Sequence, residues 1–149
     1  TIMSRSIAAV FIFVALAVQA TFALIDYSRE TVTLELTDED LVQTIPDTYL
    51  ERHAAVHLGN LYVGKHVAGE ETYSRMIAKE NTHDIILLYT LKLKMNGVIN
   101  FVTVHNVKDS QAVVCVNENA LGRSEGSIVV RIAPHSVAKL NVLVGMHRQ

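Results

Sequence analysis

The order of apolar and polar positions divides this chain into an apolar N-terminal segment and a long series of alternating segments. Residues 7–18 are an unbroken apolar run. After residue 60, apolar and polar residues alternate over short stretches that are separated by Gly, Asn, Asp and Pro. Alternation with a period of two is typical of a strand with one buried face. The pattern therefore predicts a mostly β domain.

Seven such stretches are present, and no long helical pattern lies between them. The predicted strands are residues 61–67, 72–78, 84–95, 98–107, 112–117, 127–133 and 139–146. Short direct connections favour antiparallel neighbours. We therefore predict an antiparallel β-sandwich or small barrel of about seven strands over residues 61–149.

The dipeptide Asn96-Gly97 lies between two of the predicted strands. Asn-Gly is a strong hairpin signal because both residues adopt the positive φ of a tight type I′ turn. A two-residue turn places Leu91 opposite Val102 and Tyr89 opposite Val104, so that apolar residues pair on one face. The sequence therefore predicts that these two strands form a hairpin.

The stretch from residue 24 to residue 60 has a mixed pattern and is predicted to be an N-terminal extension. Residues 30–36 alternate as a short strand, and residues 37–40 supply an acidic helix cap. Pro46 interrupts any helix that follows. A short helix over residues 49–58 is expected to end at Gly59.

The apolar run near the N-terminus predicts a secretory signal peptide over residues 1–23. Met3 is interpreted as the initiator, Arg5 supplies the positive head, and Ala23 is the preferred cleavage position. A membrane-spanning helix needs about 20 apolar residues, more than this run contains. The alternatives are a buried core helix and a signal anchor. We expect export, an extracellular location and no membrane attachment after cleavage.

Charge and cysteine content narrow the classes of function. The net charge is -2, which argues against direct binding of nucleic acid. Cys115 is the single cysteine, so no disulfide can form within the chain. It lies in an apolar stretch and is expected to be a small buried hydrophobic residue. The alternative is an intermolecular disulfide, which would make a homodimer possible.

The best candidate for chemistry is the pair His53 and His57. Two histidines at i and i+4 share one face of a helix and are weak candidates for a zinc site. The metallopeptidase motif has Glu after the first His, but Ala54 stands there. A third ligand would have to be Glu51 or His66. Surface histidines are the simpler interpretation, and no cofactor or enzymatic activity is expected.

A series of short motifs extends from residue 61 to residue 146. The motifs are Gly64 with Ala68-Gly69-Glu70, Ile77-Ala78-Lys79, Val107-Lys108-Asp109, Val113-Val114-Cys115, Leu121-Gly122, residues 128–132 and residues 140–144. In their order and spacing, these motifs resemble those of the insect family of multiprotein bridging factor type two proteins. Glu70 stands where the family has Asp, and the glycine-rich turn is reduced to residues 119–122.

The resemblance implies a protein-interaction activity. The namesake of the family is a transcriptional co-activator that bridges a nuclear receptor and general transcription factors, together with a partner bridging factor. It does not read DNA itself. Many other members carry signal peptides and are described as secreted or salivary. A nuclear location would follow here only if the co-activator role holds for an exported chain.

Three classes of function are considered from the sequence, and a metal-dependent enzyme on the face of His53 and His57 is the least expected of them. The first is a non-enzymatic protein-interaction module, for which the strand edges and the second apolar face of Ile86 and Leu88 are the expected partner surface. The second is an extracellular carrier of a small apolar ligand, which requires a large apolar cavity. The hairpin register also places His105 opposite Leu88, as a hydrogen-bonded strand histidine.

Overall fold

Eight strands form two stacked sheets in the computed structural model, which describes residues 26–42 and 59–148. The first sheet has the order β1-β4-β7-β6, and the second has the order β2-β5-β8-β3. The predicted β-sandwich is confirmed, and the small barrel is not formed. The strands are β1 (Tyr27–Glu35), β2 (Leu61–Gly64), β3 (Glu71–Asn81), β4 (Ile86–Lys94), β5 (Val98–Asn106), β6 (Val113–Glu118), β7 (Glu125–Ile132) and β8 (Ser136–His147).

All seven strands predicted after residue 60 are present, as β2 to β8. The strand predicted over residues 30–36 corresponds to β1, and it pairs with β4 along its full length. That pair is parallel, whereas the other strand pairs in the two sheets are antiparallel. Parallel pairing is possible because β1 and β4 are far apart in the chain and need no tight turn between them.

The hydrophobic core lies between the sheets and is built from the alternating residues that the sequence indicated. Each of these side chains is almost fully buried, and such burial contributes about 1.5–3 kcal/mol per large aliphatic side chain. The first sheet contributes Leu87, Leu91, Leu93, Ile128, Val130 and Ile132, and the second contributes Val102, Val104, Leu140, Val142 and Val144.

The predicted hairpin at Asn96-Gly97 is wrong. Leu91 pairs with Ile128 of β7, and Val102 pairs with Val144 of β8, so β4 and β5 lie in different sheets. Neither turn residue has the positive φ that a type I′ turn requires. Alternation correctly predicted which faces of β4 and β5 are buried. The two strands lie in different sheets, however, and both buried faces line the same core.

The crossing from β4 to β5 is held by the loop between β6 and β7. The Met95 amide donates to the carbonyl of Ser124 at 2.9 Å, and the Ile99 amide donates to the carbonyl of Arg123 at 2.9 Å. Gly97 lies against β8, where a Cβ atom would come within 2.5 Å of the Met146 sulfur. Glycine is therefore needed here for close packing and not for turn geometry.

The acidic cap predicted after the first strand is present. Asp38–Asp40 form one turn of 3₁₀ helix, and the Thr37 amide donates to the Asp40 carboxylate at 2.9 Å. The predicted signal peptide, Pro46 and the predicted helix over residues 49–58 lie outside the described residues. Among the residues that the model does describe, no helix is long and apolar enough to cross a membrane.

Candidate interaction surface

The weak zinc site gains no support from the described part of the chain. His53, His57 and Glu51 lie outside the described residues. His66 binds the Glu70 carboxylate through Nδ1, and its ring packs on Phe101 with 3.9 Å between the ring centroids. Over residues 26–42 and 59–148, no group of three His, Cys, Asp or Glu side chains is placed to hold a metal ion.

Cys115 is exposed, and the prediction that it is buried is wrong. The apolar stretch around it does form a strand, β6, but this strand lies at the edge of its sheet. Val114 points into the core and pairs with Val130, so its neighbour Cys115 points outward. An edge strand leaves such outward residues in contact with solvent.

His105 is a hydrogen-bonded strand histidine, as expected, but its predicted neighbour is wrong. It lies opposite Asn141 of β8, because β5 is not paired with β4. Its Nδ1 atom shares a hydrogen bond with the hydroxyl of Tyr62 at 3.1 Å, and the two rings meet edge to face. This histidine stabilises the contact between β2 and β5.

The face of Ile86 and Leu88 is less apolar and less exposed than the sequence suggested. Both side chains are half-buried. Leu88 lies in register between Arg29 of β1 and Arg131 of β7. This face is thus flanked by charged residues.

One long side of the sandwich, where β1 and β3 lie, is closed by ion pairs. The Arg75 guanidinium donates to both carboxylate oxygens of Asp40, with Nε to Oδ1 at 2.8 Å and Nη2 to Oδ2 at 2.5 Å. Lys79 Nζ lies 2.5 Å from the Glu30 carboxylate. Charged residues on exposed strands are a common protection against unwanted edge pairing.

The surroundings of Asp40 at this side lower the pKa of its carboxyl. Partial burial tends to raise its pKa, but the hydrogen bonds from Arg75 and from the Thr37 amide outweigh burial. The net result is a pKa below the ordinary value of 3.8. Asp40 therefore stays ionised. It caps the 3₁₀ turn and binds Arg75 of β3.

The opposite long side, where β2 and β6 lie, is apolar. Val113 and Val116 of β6 are 46% and 45% exposed. Leu61 and Val63 of β2 and Leu121 of the β6–β7 loop are half-buried and line one gap together with Val116. We call Leu61, Val63, Val116 and Leu121 the apolar side, and Val113, next to the buried Val114, lies on the outer face of β6. Within the described residues, no ion pair links β2 to β6.

The gap between the sheets at the apolar side is shallow. Its cavity volume is about 10 Å³, and Leu61, Val116 and Leu121 are among its lining residues. That volume is close to the minimum needed for one water molecule. This gap therefore does not provide the large cavity that an apolar-ligand carrier requires.

A network around Asn106 fixes the position of the apolar side. The Asn106 side chain donates to Ala112 O at 2.9 Å and accepts from the Ala112 amide at 2.9 Å. The backbone amide and the side-chain Nδ2 of Asn106 both donate to Asn60 Oδ1, and the Gly59 carbonyl accepts from the Val114 amide at 2.9 Å. The entry to β2 and the entry to β6 are therefore tied together.

An open cleft of about 470 Å³ lies at one end of the sandwich, and its walls carry charges of both signs. Tyr73 donates from its hydroxyl to Glu71 at 2.8 Å, and Arg148 Nε donates to the same carboxylate at 3.0 Å. Both bonds lower the Glu71 pKa, and the bond from Tyr73 has the larger effect. Burial, followed by the bond to Glu71, raises the Tyr73 pKa above 10.0.

Comparison with known proteins does not assign this chain. No family model, curated protein or solved structure matches it. The fold and the surfaces described above therefore stand on the chain's own residues.

Sequence reasoning did not find the apolar side, although β6 carried a signal for it. Val113-Val114-Cys115-Val116 is apolar on both faces of the strand. Such a run is typical of a strand buried on both faces, and for this reason the sequence predicts a buried Cys115. On an edge strand, the same run leaves one apolar face and one edge exposed.

Proposed function

We propose that this protein is an exported, non-enzymatic protein-interaction module of the type implied by the resemblance to multiprotein bridging factor type two. The observation that carries the proposal is the contrast between the two long sides of the sandwich. One side is closed by the pairs Asp40–Arg75 and Glu30–Lys79. On the other side, no ion pair links β2 to β6 within residues 26–42 and 59–148, and Val116 and Leu121 line the gap between the sheets.

The apolar side is suited to a protein partner for a physical reason. Burying exposed valine side chains gives about 25 cal/mol per Å² of apolar surface removed from water. Apolar residues clustered at one place on a surface mark interaction sites more often than scattered ones do. The polar residues Asn117, Glu118 and Asn119 adjoin the cluster and supply the polar rim that interfaces commonly have.

Two experiments test the two parts of the proposal. The first follows a tagged full-length chain and sequences the N-terminus of the product. Recovery from the medium, starting near Leu24, is the expected result. Retention in the nucleus with an intact N-terminus would contradict export.

The second experiment tests the bridging-factor type of partner. Co-immunoprecipitation is carried out with a bridging factor and with a nuclear receptor as the probes. Binding of either protein supports the co-activator activity of the family for this chain. If neither protein binds, that activity belongs to the namesake and not to this protein.

A further inference from the structure

A second open cleft, of about 440 Å³, lies at the same end of the sandwich as the first and is lined only by cationic and neutral residues. Arg123 from the β6–β7 loop and Arg148 after β8 contribute guanidinium groups. Asn96, Gly97 and Ser124 contribute polar groups, and no carboxylate lines this cleft. Two guanidinium groups therefore face a concave surface, and their carboxylate partners Glu118, Glu71 and Asp38 lie outside its lining.

The walls of the cleft are held in place by the backbone. The carbonyls of Arg123 and Ser124 accept from Ile99 and Met95, each at 2.9 Å, and Gly122 donates to Ile99 O at 2.9 Å. Arg123 is thus anchored to the crossing between β4 and β5. A preorganised wall reduces the ordering cost of binding.

The cleft also presents hydrogen-bond donors that have no acceptor within the described residues. The backbone amides of Asn96 and Gly97 are outside the strand ladders and bond to no carbonyl there. The Asn96 carboxamide and the Ser124 hydroxyl likewise have no side-chain partner among residues 26–42 and 59–148. Donors beside guanidinium groups are the usual surroundings of a bound oxyanion.

The existing ion pairs leave both arginines able to bind a ligand. Arg123 Nη1 is 3.9 Å from the Glu118 carboxylate, and both side chains are more than half exposed. A pair of that length and exposure contributes little stability. Arg148 uses Nε for Glu71 and Nη2 for Asp38 and also contacts Tyr73, whereas its Nη1 atom has no carboxylate partner within the described residues.

We infer that this cleft binds a small anion through a phosphate or carboxylate group held between Arg123 and Arg148. Guanidinium groups match the planar carboxylate and the tetrahedral phosphate through paired N–H donors. The amides of Asn96 and Gly97 complete the donor set. This binding site does not depend on the interaction surface formed by β2 and β6.

The test uses the purified chain. Backbone amide shifts are followed by NMR during titration at constant ionic strength. Inorganic phosphate and acetate are titrated separately, so the experiment distinguishes the two sources of the anion. The expected result is saturable movement of the Asn96, Gly97 and Ser124 amides with at least one of them. Absence of saturable movement with both anions would overturn the inference.

Three variants sharpen the test. Arg123→Gln is expected to weaken binding about tenfold, because one charge-assisted contact is lost. Arg131→Gln is the matched control, since Arg131 is an exposed guanidinium on β7 outside the cleft, and it should leave the affinity unchanged. Equal weakening by both variants would show a nonspecific charge effect and would contradict the proposal.

Glu118→Gln gives a result that a merely structural role would not produce. Removing the carboxylate that competes for Arg123 is expected to tighten anion binding about twofold to threefold. Weaker binding in this variant would mean that Glu118 supports the anion site instead of competing with it, which contradicts the geometry argued here.

Discussion

Asn106 shows how a single side chain positions the candidate surface. It bonds the Ala112 backbone through both its carbonyl and its amide group, accepts from the Ser110 hydroxyl at 2.7 Å, and donates to Asn60. Three segments that precede β2, follow β5 and precede β6 are therefore joined at one residue. No sequence motif marks this role, because the partners are brought together only by the fold.

Replacing Asn106 with alanine should destabilise the fold by about 2–4 kcal/mol, because several partly buried hydrogen-bonding groups lose their partner. The measurement is the free energy of unfolding in urea. Asn117→Ala is the matched control, since the exposed Asn117 side chain makes a single bond, to Ser127, and should cost less than about 1 kcal/mol. Equal losses in the two variants would contradict the role of Asn106.

Asp40 makes a prediction about pH at the residue scale. Its pKa is lower in the folded state than in the unfolded chain, so it stabilises the fold above pH 4 and stops doing so as pH falls through the folded pKa. Asp40→Asn should cost about 1 kcal/mol near pH 7. The difference from the original chain should then shrink toward zero in acid, as measured by unfolding between pH 7 and pH 2. A difference that is independent of pH would exclude this ionisation as the cause.

At the scale of elements, the sequence predicted where the strands are but not which strands are neighbours. Leu91 and Val102 were correctly predicted to be core residues, because alternation reports the buried face of a strand. Their pairing was wrong, because two inward faces can meet within one sheet or across the core. The hairpin preference of Asn96-Gly97 does not distinguish these arrangements. In the observed structure, the crossing packs against β8 and does not form the tight turn.

Gly97 distinguishes the observed crossing from the predicted hairpin. In the crossing, a Cβ atom on residue 97 would clash with the Met146 sulfur and with the His147 carbonyl oxygen at 2.6 Å. Gly97→Ala should therefore destabilise the fold by about 1–3 kcal/mol through overpacking. Gly69→Ala is the control, because Gly69 has a φ of 78° and open space around it, so only about 1 kcal/mol of backbone strain is expected.

The Gly97 comparison is read from thermal unfolding of the two variants. A larger loss for Gly97→Ala than for Gly69→Ala supports the close approach to β8. Equal losses would indicate that residue 97 adopts a left-handed turn conformation, as in the hairpin, and a smaller loss for Gly97→Ala would contradict the close approach to β8.

For the whole molecule, the composition and the alternation were sufficient to predict a β-sandwich, and the arrangement of its edges was not. Which strands lie at an edge depends on long-range pairing, such as the parallel pair of β1 and β4. The exposure of Val113, Val116 and Cys115 follows from the edge position of β6. The candidate surface therefore emerged only after the two sheets were assembled.

The two long sides of the sandwich carry the central claim, because ion pairs close the side of β1 and β3, whereas none links β2 to β6 within the described residues. Val116 on β6 and Val32 on β1 are exposed to nearly the same extent, 45% and 42%. They lie at opposite edges of the first sheet. A lysine at either position adds the same charge and removes a similar apolar area, so the two variants differ mainly in which side is altered.

The most direct measurement is the affinity of the purified chain, and of its Val116→Lys and Val32→Lys variants, for a bridging factor and for a nuclear receptor, the partners proposed from the resemblance. We expect Val116→Lys to weaken binding at least tenfold, because a charge would be buried in an apolar contact. Val32→Lys should leave binding unchanged, and both variants should unfold at similar temperatures. Equal binding by Val116→Lys and the original chain would contradict the assignment of the apolar side as the interaction surface.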